Sequence, residues 1–127
     1  LDDNYTSIAV AEIAKKIIVT AVKSTKVRQA PKITVTQICR GALHGAMIIG
    51  KDLQQAALHL LRIMPNIALE TNLAPGDLLR WGMEGIADVM PIAGMDVRSA
   101  IRARIEEEFM DAGNVFSSFC DKAQKKP

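Results

Sequence analysis

The sequence repeats itself at a fixed distance, and that constrains its fold more than any other feature. Residues Gly85–Asp96 read GIADVMPIAGMD, and 44 positions earlier Gly41–Asp52 read GALHGAMIIGKD, with glycines nine apart and an aspartate two residues on. The register extends without a gap: Ala30-Pro31 falls on Ala74-Pro75, Val35 on Leu79, Leu53 on Val97, Ala56 on Ala100 and Leu61 on Ile105. Repeats of this length are usually supersecondary units that bury apolar faces on one another. Each copy reads as proline, helix, glycine break, aspartate cap, helix. This predicts two αα-hairpins, one over 30–73 and one over 74–117.

The chemistry of the corner follows from backbone sterics. Gly50 and Gly94 stand where a helix ends and a left-handed backbone is cheapest for glycine. Asp52 and Asp96 are expected to cap the helices that follow, accepting from their first free amides at about 1 kcal/mol each. A phosphate-binding loop would need more glycines and a Lys-Ser/Thr pair, and neither copy supplies them.

Around the repeat the chain reads as helices throughout. An N-terminal helix over 5–28 carries Val10, Ile13, Ala14, Ile17, Ile18, Ala21 and Val22 over nearly half its circumference, an apolar arc too wide for one partner helix. A second helix is expected from Thr34 to the region of Gly50, and a third from Asp52 to Pro65. Residues 66–76 read as a connection. Asp77 reads as the cap of a fourth helix toward Met90, and Asp96 as that of a fifth to about Asp111. A short C-terminal helix bearing Val115, Phe116 and Phe119 and a frayed tail fill 114–127. With 127 residues and only five aromatics, the core must be aliphatic, which suits packed helices. The expected fold is all-α: one domain, a compact bundle of five or six helices containing the two αα-hairpin repeats.

The copies differ where function would lie. Leu60 and Met64 of the first become Arg104 and Glu108 of the second, so the first copy should be interior and the second should face water along that edge. Arg40 and His44 become Glu84 and Asp88, with inverted charge. Each pair lies beside glycines that let helices approach closely, Gly41 and Gly45 in one copy and Gly82 and Gly85 in the other. These eight residues form the expected interaction surface, with Arg40 and His44 facing Glu84 and Asp88 within the chain or across a two-fold dimer.

Signals for chemistry are sparse. The only histidines, His44 and His59, lie on different expected helices, and Cys39 is off the face of His44. The two cysteines, Cys39 and Cys120, read as reduced and buried. Glu106, Glu107 and Glu108 fan apart on a helix and read as a solvated face paired with Arg102 and Arg104. No catalytic residues, metal or cofactor are expected, although one histidine would suffice to ligate haem between helices. Lys15, Lys16, Lys23, Lys26, Arg28 and Lys32, with no acid among them, form an alternative nucleic-acid-binding face, but aromatics for base stacking are missing there. No apolar run is long enough for a membrane span, and the polar opening LDDNYTS is unlike a secretory leader, which points to the cytoplasm. Ile8, Val19 and Ile48 fall on faces assigned to water. The expectation is a non-catalytic interaction module that forms a homodimer or binds a protein partner. Nucleic-acid binding and an apolar ligand or haem between helices are the alternatives.

Overall fold

The computed structural model describes residues 3–24 and 29–125, the backbone alone at 3 and 4. The described residues are all-helical, in eight segments: α1 (Asp3–Lys23), α2 (Pro31–Ile48), α3 (Leu53–Arg62), α4 (Met64–Thr71), α5 (Pro75–Ala87), α6 (Met90–Ala93), α7 (Met95–Phe109) and α8 (Ala112–Gln124). Six of these are ten residues or longer.

Prolines account for most differences from the expected boundaries. Pro31, Pro65, Pro75 and Pro91 all sit at the first or second helical position, where the missing N–H costs nothing and the fixed φ suits the helix. They start helices rather than stop them. Thus α2 begins at Pro31 instead of Thr34, and Pro65 opens α4 inside the expected 66–76 connection. Likewise α5 begins at Pro75, which places Asp77 in its first turn, paired with Arg80, rather than at its cap. At the N-terminus α1 stops at Lys23, and residues 25–28 of the expected 5–28 helix lie outside the described residues. At the other end, α8 starts before Gly113 and Asn114 and runs to Gln124, into the expected frayed tail, with Ala123 buried.

The two glycine corners share a backbone sign but not a cap. Gly50 and Gly94 have φ of 76° and 102°. At the first corner Lys51 N–H donates to the Ala46 carbonyl at 2.9 Å, and the Asp52 carboxylate accepts from Gln55 N–H at 3.1 Å. At the second, Gly94 itself is the N-cap, α7 starts at Met95, and Asp96 lies in the first turn without capping by its side chain. The cause is the missing spacer: two residues separate Gly50 from α3, whereas α7 follows Gly94 directly.

The core is organised about α3, which packs on α1, α2, α4, α5 and α7. Its Ala56, Ala57, Leu58, Leu60 and Leu61 are all buried. Full burial of each leucine contributes about 1.5–3 kcal/mol. Leu60 and Met64 are interior, while their offset partners Arg104 and Glu108 lie at the surface of α7. Glu108 does not pair with Arg104 by hydrogen bonding; its partner is Arg62 at the end of α3. Val19, assigned to water from the helical wheel, is half-buried against the core, whereas Ile8 and Ile48 are exposed.

Candidate interaction surface

Two surface features converge on α2, one on each side. On the first side α2 crosses α5 closely. A Cβ on Gly85 would lie 2.5 Å from the Thr36 carbonyl oxygen and 3.0 Å from Cys39 Cβ, so this contact admits only glycine. One on Gly82 would meet Met64 Cε at 3.0 Å and Leu61 Cδ2 at 3.1 Å. Beside the crossing runs a mixed-charge groove lined by Lys32, Ile33, Thr36, Gln37, Arg40, Glu84 and Asp88. Arg40 therefore shares a groove with Glu84 and Asp88, and Lys32 is the cation near Glu84, at 3.8 Å. His44 is exposed and does not line that groove.

Gly41 and Gly45 take no part in the α2–α5 crossing. They face a second groove, of about 480 Å³, between α2 and α1. Ile13 and Ile17 come to it from α1, Ile38 from α2 and Ile49 from just past its end, over a floor of Ala14, Gly41, Ala42, Gly45 and Ala46, with Val10 also lining it. Ile13, Ile17 and Ile49 are 58%, 49% and 61% exposed. Among the described residues, and apart from the backbone of α2 itself, nothing lies within 4 Å of where a Cβ on Gly41 or Gly45 would be. Glycine inside a helix costs about 0.5–1 kcal/mol relative to alanine, and packing within the chain does not require it at these two positions. The wide apolar arc of α1 was the sequence signal for this groove; the identity of the opposite wall was not legible, because it depends on which face of α2 turns toward α1.

The basic face is interrupted by carboxylates. Lys15 Nζ pairs with Glu70 at 3.1 Å, and Lys32 lies against Glu84. Lys16 and Lys23 are on α1, separated by nearly two turns, while Lys26 and Arg28 lie outside the described residues. The acidic run on α7 is also divided among partners. Glu106 accepts from Gly113 N–H at 2.8 Å, Glu108 holds Arg62, and Arg102 donates to Ser117 Oγ and Asn114 Oδ1 rather than to the glutamates.

Burial acts on both cysteines and on His59. Burial pushes the Cys39 thiol up to about 12 and Cys120 to about 11, the latter partly offset by Arg98, so both stay protonated at neutral pH. His59 is lowered, first by burial and then by Arg62, with Glu108 acting in the opposite sense. Among the described residues no cluster of three or more His, Cys, Asp or Glu side chains could hold a metal ion, and no helix is long and apolar enough to cross a membrane. Comparison with family models, curated proteins and solved structures gave no match.

Proposed function

We propose that the chain is a non-catalytic interaction module whose working face is the α1/α2 groove, and that a second copy of the chain covers it. The observation that carries this reading is the pair of helix-interior glycines with none of the described residues over them, set in an apolar groove rimmed by exposed isoleucines. Ile13 and Ile17 are one turn apart on α1, and Gly41 and Gly45 are one turn apart on α2. Side chains at this spacing share one face of a helix. Projections and hollows of matched spacing on one surface are what a two-fold interface needs, since each copy must supply both halves. Ten residues line the groove, a third to a half of the roughly 20–30 a side in a standard interface. The association is accordingly expected to be weak and concentration-dependent.

Sedimentation velocity over a dilution series tests it. The expected result is a monomer–dimer equilibrium that Ile13→Asp and Ile17→Asp abolish with the helical circular dichroism unchanged, both positions being about half-exposed. A monomer at every concentration overturns the reading, as does a dimer indifferent to both substitutions. Native mass spectrometry of the same samples separates the competing occupants: a retained apolar small molecule, or a foreign protein, in place of the second copy would move the groove to another function.

A further inference from the structure

We infer that α8 can be exchanged between two copies of the chain, with Met110 and Asp111 as the hinge. These two residues are the whole connection between α7 and α8, and both have positive φ, 25° and 62°. Left-handed backbone crowds the Cβ of an L-residue against its own carbonyl. Met110, at φ 25° and ψ 120°, also lies outside the small left-handed helical basin that side chains tolerate. Strain of this kind persists only where the surroundings enforce it.

The local sequence enforces it only weakly: Gly113 and Asn114 favour a break near here, but neither stands at the two strained positions. Pro65, Pro91 and the left-handed Gly50 and Gly94 mark other helix breaks. Residues 95–124 contain no proline, and their one glycine, Gly113, lies inside α8 rather than at the break. Asp111 makes no capping bond with its side chain. Because α8 already takes Gly113 and Asn114 into its first turn, α7 and α8 can run on as one straight helix from Met95 to Gln124 once the bend opens.

What folds α8 back is tertiary. Phe116 and Cys120 are buried in the core, and α8 packs on α5, α6 and α7. A polar ladder also ties it to α7: Arg98 to Asp121 at 2.7 Å, Arg102 to Ser117 and Asn114 at 2.8 Å, and Glu106 to Gly113 N–H at 2.8 Å. An α8 from a second copy remakes every one of these contacts, while the hinge straightens and loses its strain. Exchange of this kind is opposed chiefly by association entropy, so concentration drives it.

The pair Glu106 and Gly113 reports the state directly. In the bent chain a Cβ on Gly113 would lie 3.1 Å from Glu106 Cβ, near disulfide range, and its remaining close contacts are atoms of the Glu106 carboxylate. In a straight helix the two positions are separated by a rise of about 10 Å, too far to bridge. The variant Glu106→Cys/Gly113→Cys, refolded dilute and oxidised, should run as a monomer on a non-reducing gel; refolded concentrated, it should give a disulfide-linked dimer. Met110→Ala/Asp111→Ala should raise the dimer fraction several-fold and Met110→Gly/Asp111→Gly should lower it. Should the first pair fail to oxidise or fold, sedimentation velocity of the three hinge forms carrying Ile13→Asp reads the exchanged dimer without a disulfide. Disulfides confined within one chain at all concentrations and with all three hinges overturn the proposal. Adding Ile13→Asp keeps the outcomes separate: the cross-linked dimer should survive it, and a dimer that it abolishes, carrying only intrachain disulfides, belongs to the groove and not to α8.

Discussion

Arg62 grips Glu108 through two hydrogen bonds, 2.7 Å from Nε and 2.6 Å from its terminal nitrogen, fastening the last turn of α3 to the last turn of α7. The hydrogen bonds from Arg62 hold the Glu108 carboxyl below its usual range against opposing desolvation, with smaller help from the charges of Arg62, Arg104 and His59. His59, one turn earlier on α3, is lowered as well, in its case first by burial. Both shifts mean that the folded state binds fewer protons than the unfolded one, so stability rises with pH. The His59 contribution should be lost as pH falls through and below roughly 6.5, and the Glu108 contribution below roughly 4.5. Urea unfolding from about pH 7.5 to about pH 5 should show falling stability that His59→Gln flattens. At this partly exposed site Arg62→Met and Glu108→Gln should couple by only about 0.5–1 kcal/mol in a double-mutant cycle. A pH-independent stability over that window would contradict the assignment.

The helix-interior glycines should respond in opposite directions. Gly85→Ala sets a methyl against the Thr36 carbonyl, a backbone group with little room to yield, and should destabilise the fold by about 1–3 kcal/mol or more. Gly41→Ala meets open space and should stabilise the dilute monomer by about 0.5–1 kcal/mol. Chemical denaturation of the two variants beside the parent decides the matter, and equal effects would remove the distinction drawn between the two faces of α2.

Ser7 carries a buried hydroxyl with no hydrogen-bond partner among the described residues. An unsatisfied hydroxyl costs about 1–3 kcal/mol of lost solvation. Ser7→Ala should therefore leave the melting temperature unchanged or raise it, and a clear fall would reveal a partner for that oxygen.

Cys39 and Cys120 are both buried. With their thiols held protonated, they should react with an aromatic disulfide reagent only as fast as the chain opens, and two equivalents should react at once in strong denaturant. Immediate reaction of either in the native protein would contradict its burial.

The all-helical character was legible because periodicity and composition act locally, and α1, α2, α3 and α7 form near where the pattern puts them. Pro65 reads as a stop in the sequence because the same ring that breaks a helix interior is welcome at its first turn; only the extent of the next helix tells the cases apart. Asp96 looked like a second Asp52, but capping depends on the path from the preceding glycine, and that path is shorter by the spacer that Lys51 and Asp52 provide. The grooves needed the rotation of α2 between α1 and α5. Its glycines mark two faces of one problem: Gly85 fits into α2, whereas Gly41 and Gly45 turn away from that contact, and spacing along the chain cannot distinguish the two.

The central place of α3 also bears on how the chain is made. The leucines of α3 emerge from a ribosome well before α7, which covers one of their sides. During synthesis the segment through α3 therefore presents a sticky aliphatic seam that only later residues can seal. A chain terminated prematurely, anywhere before Met95, keeps that seam open and becomes a client for chaperones or proteases rather than a smaller working copy.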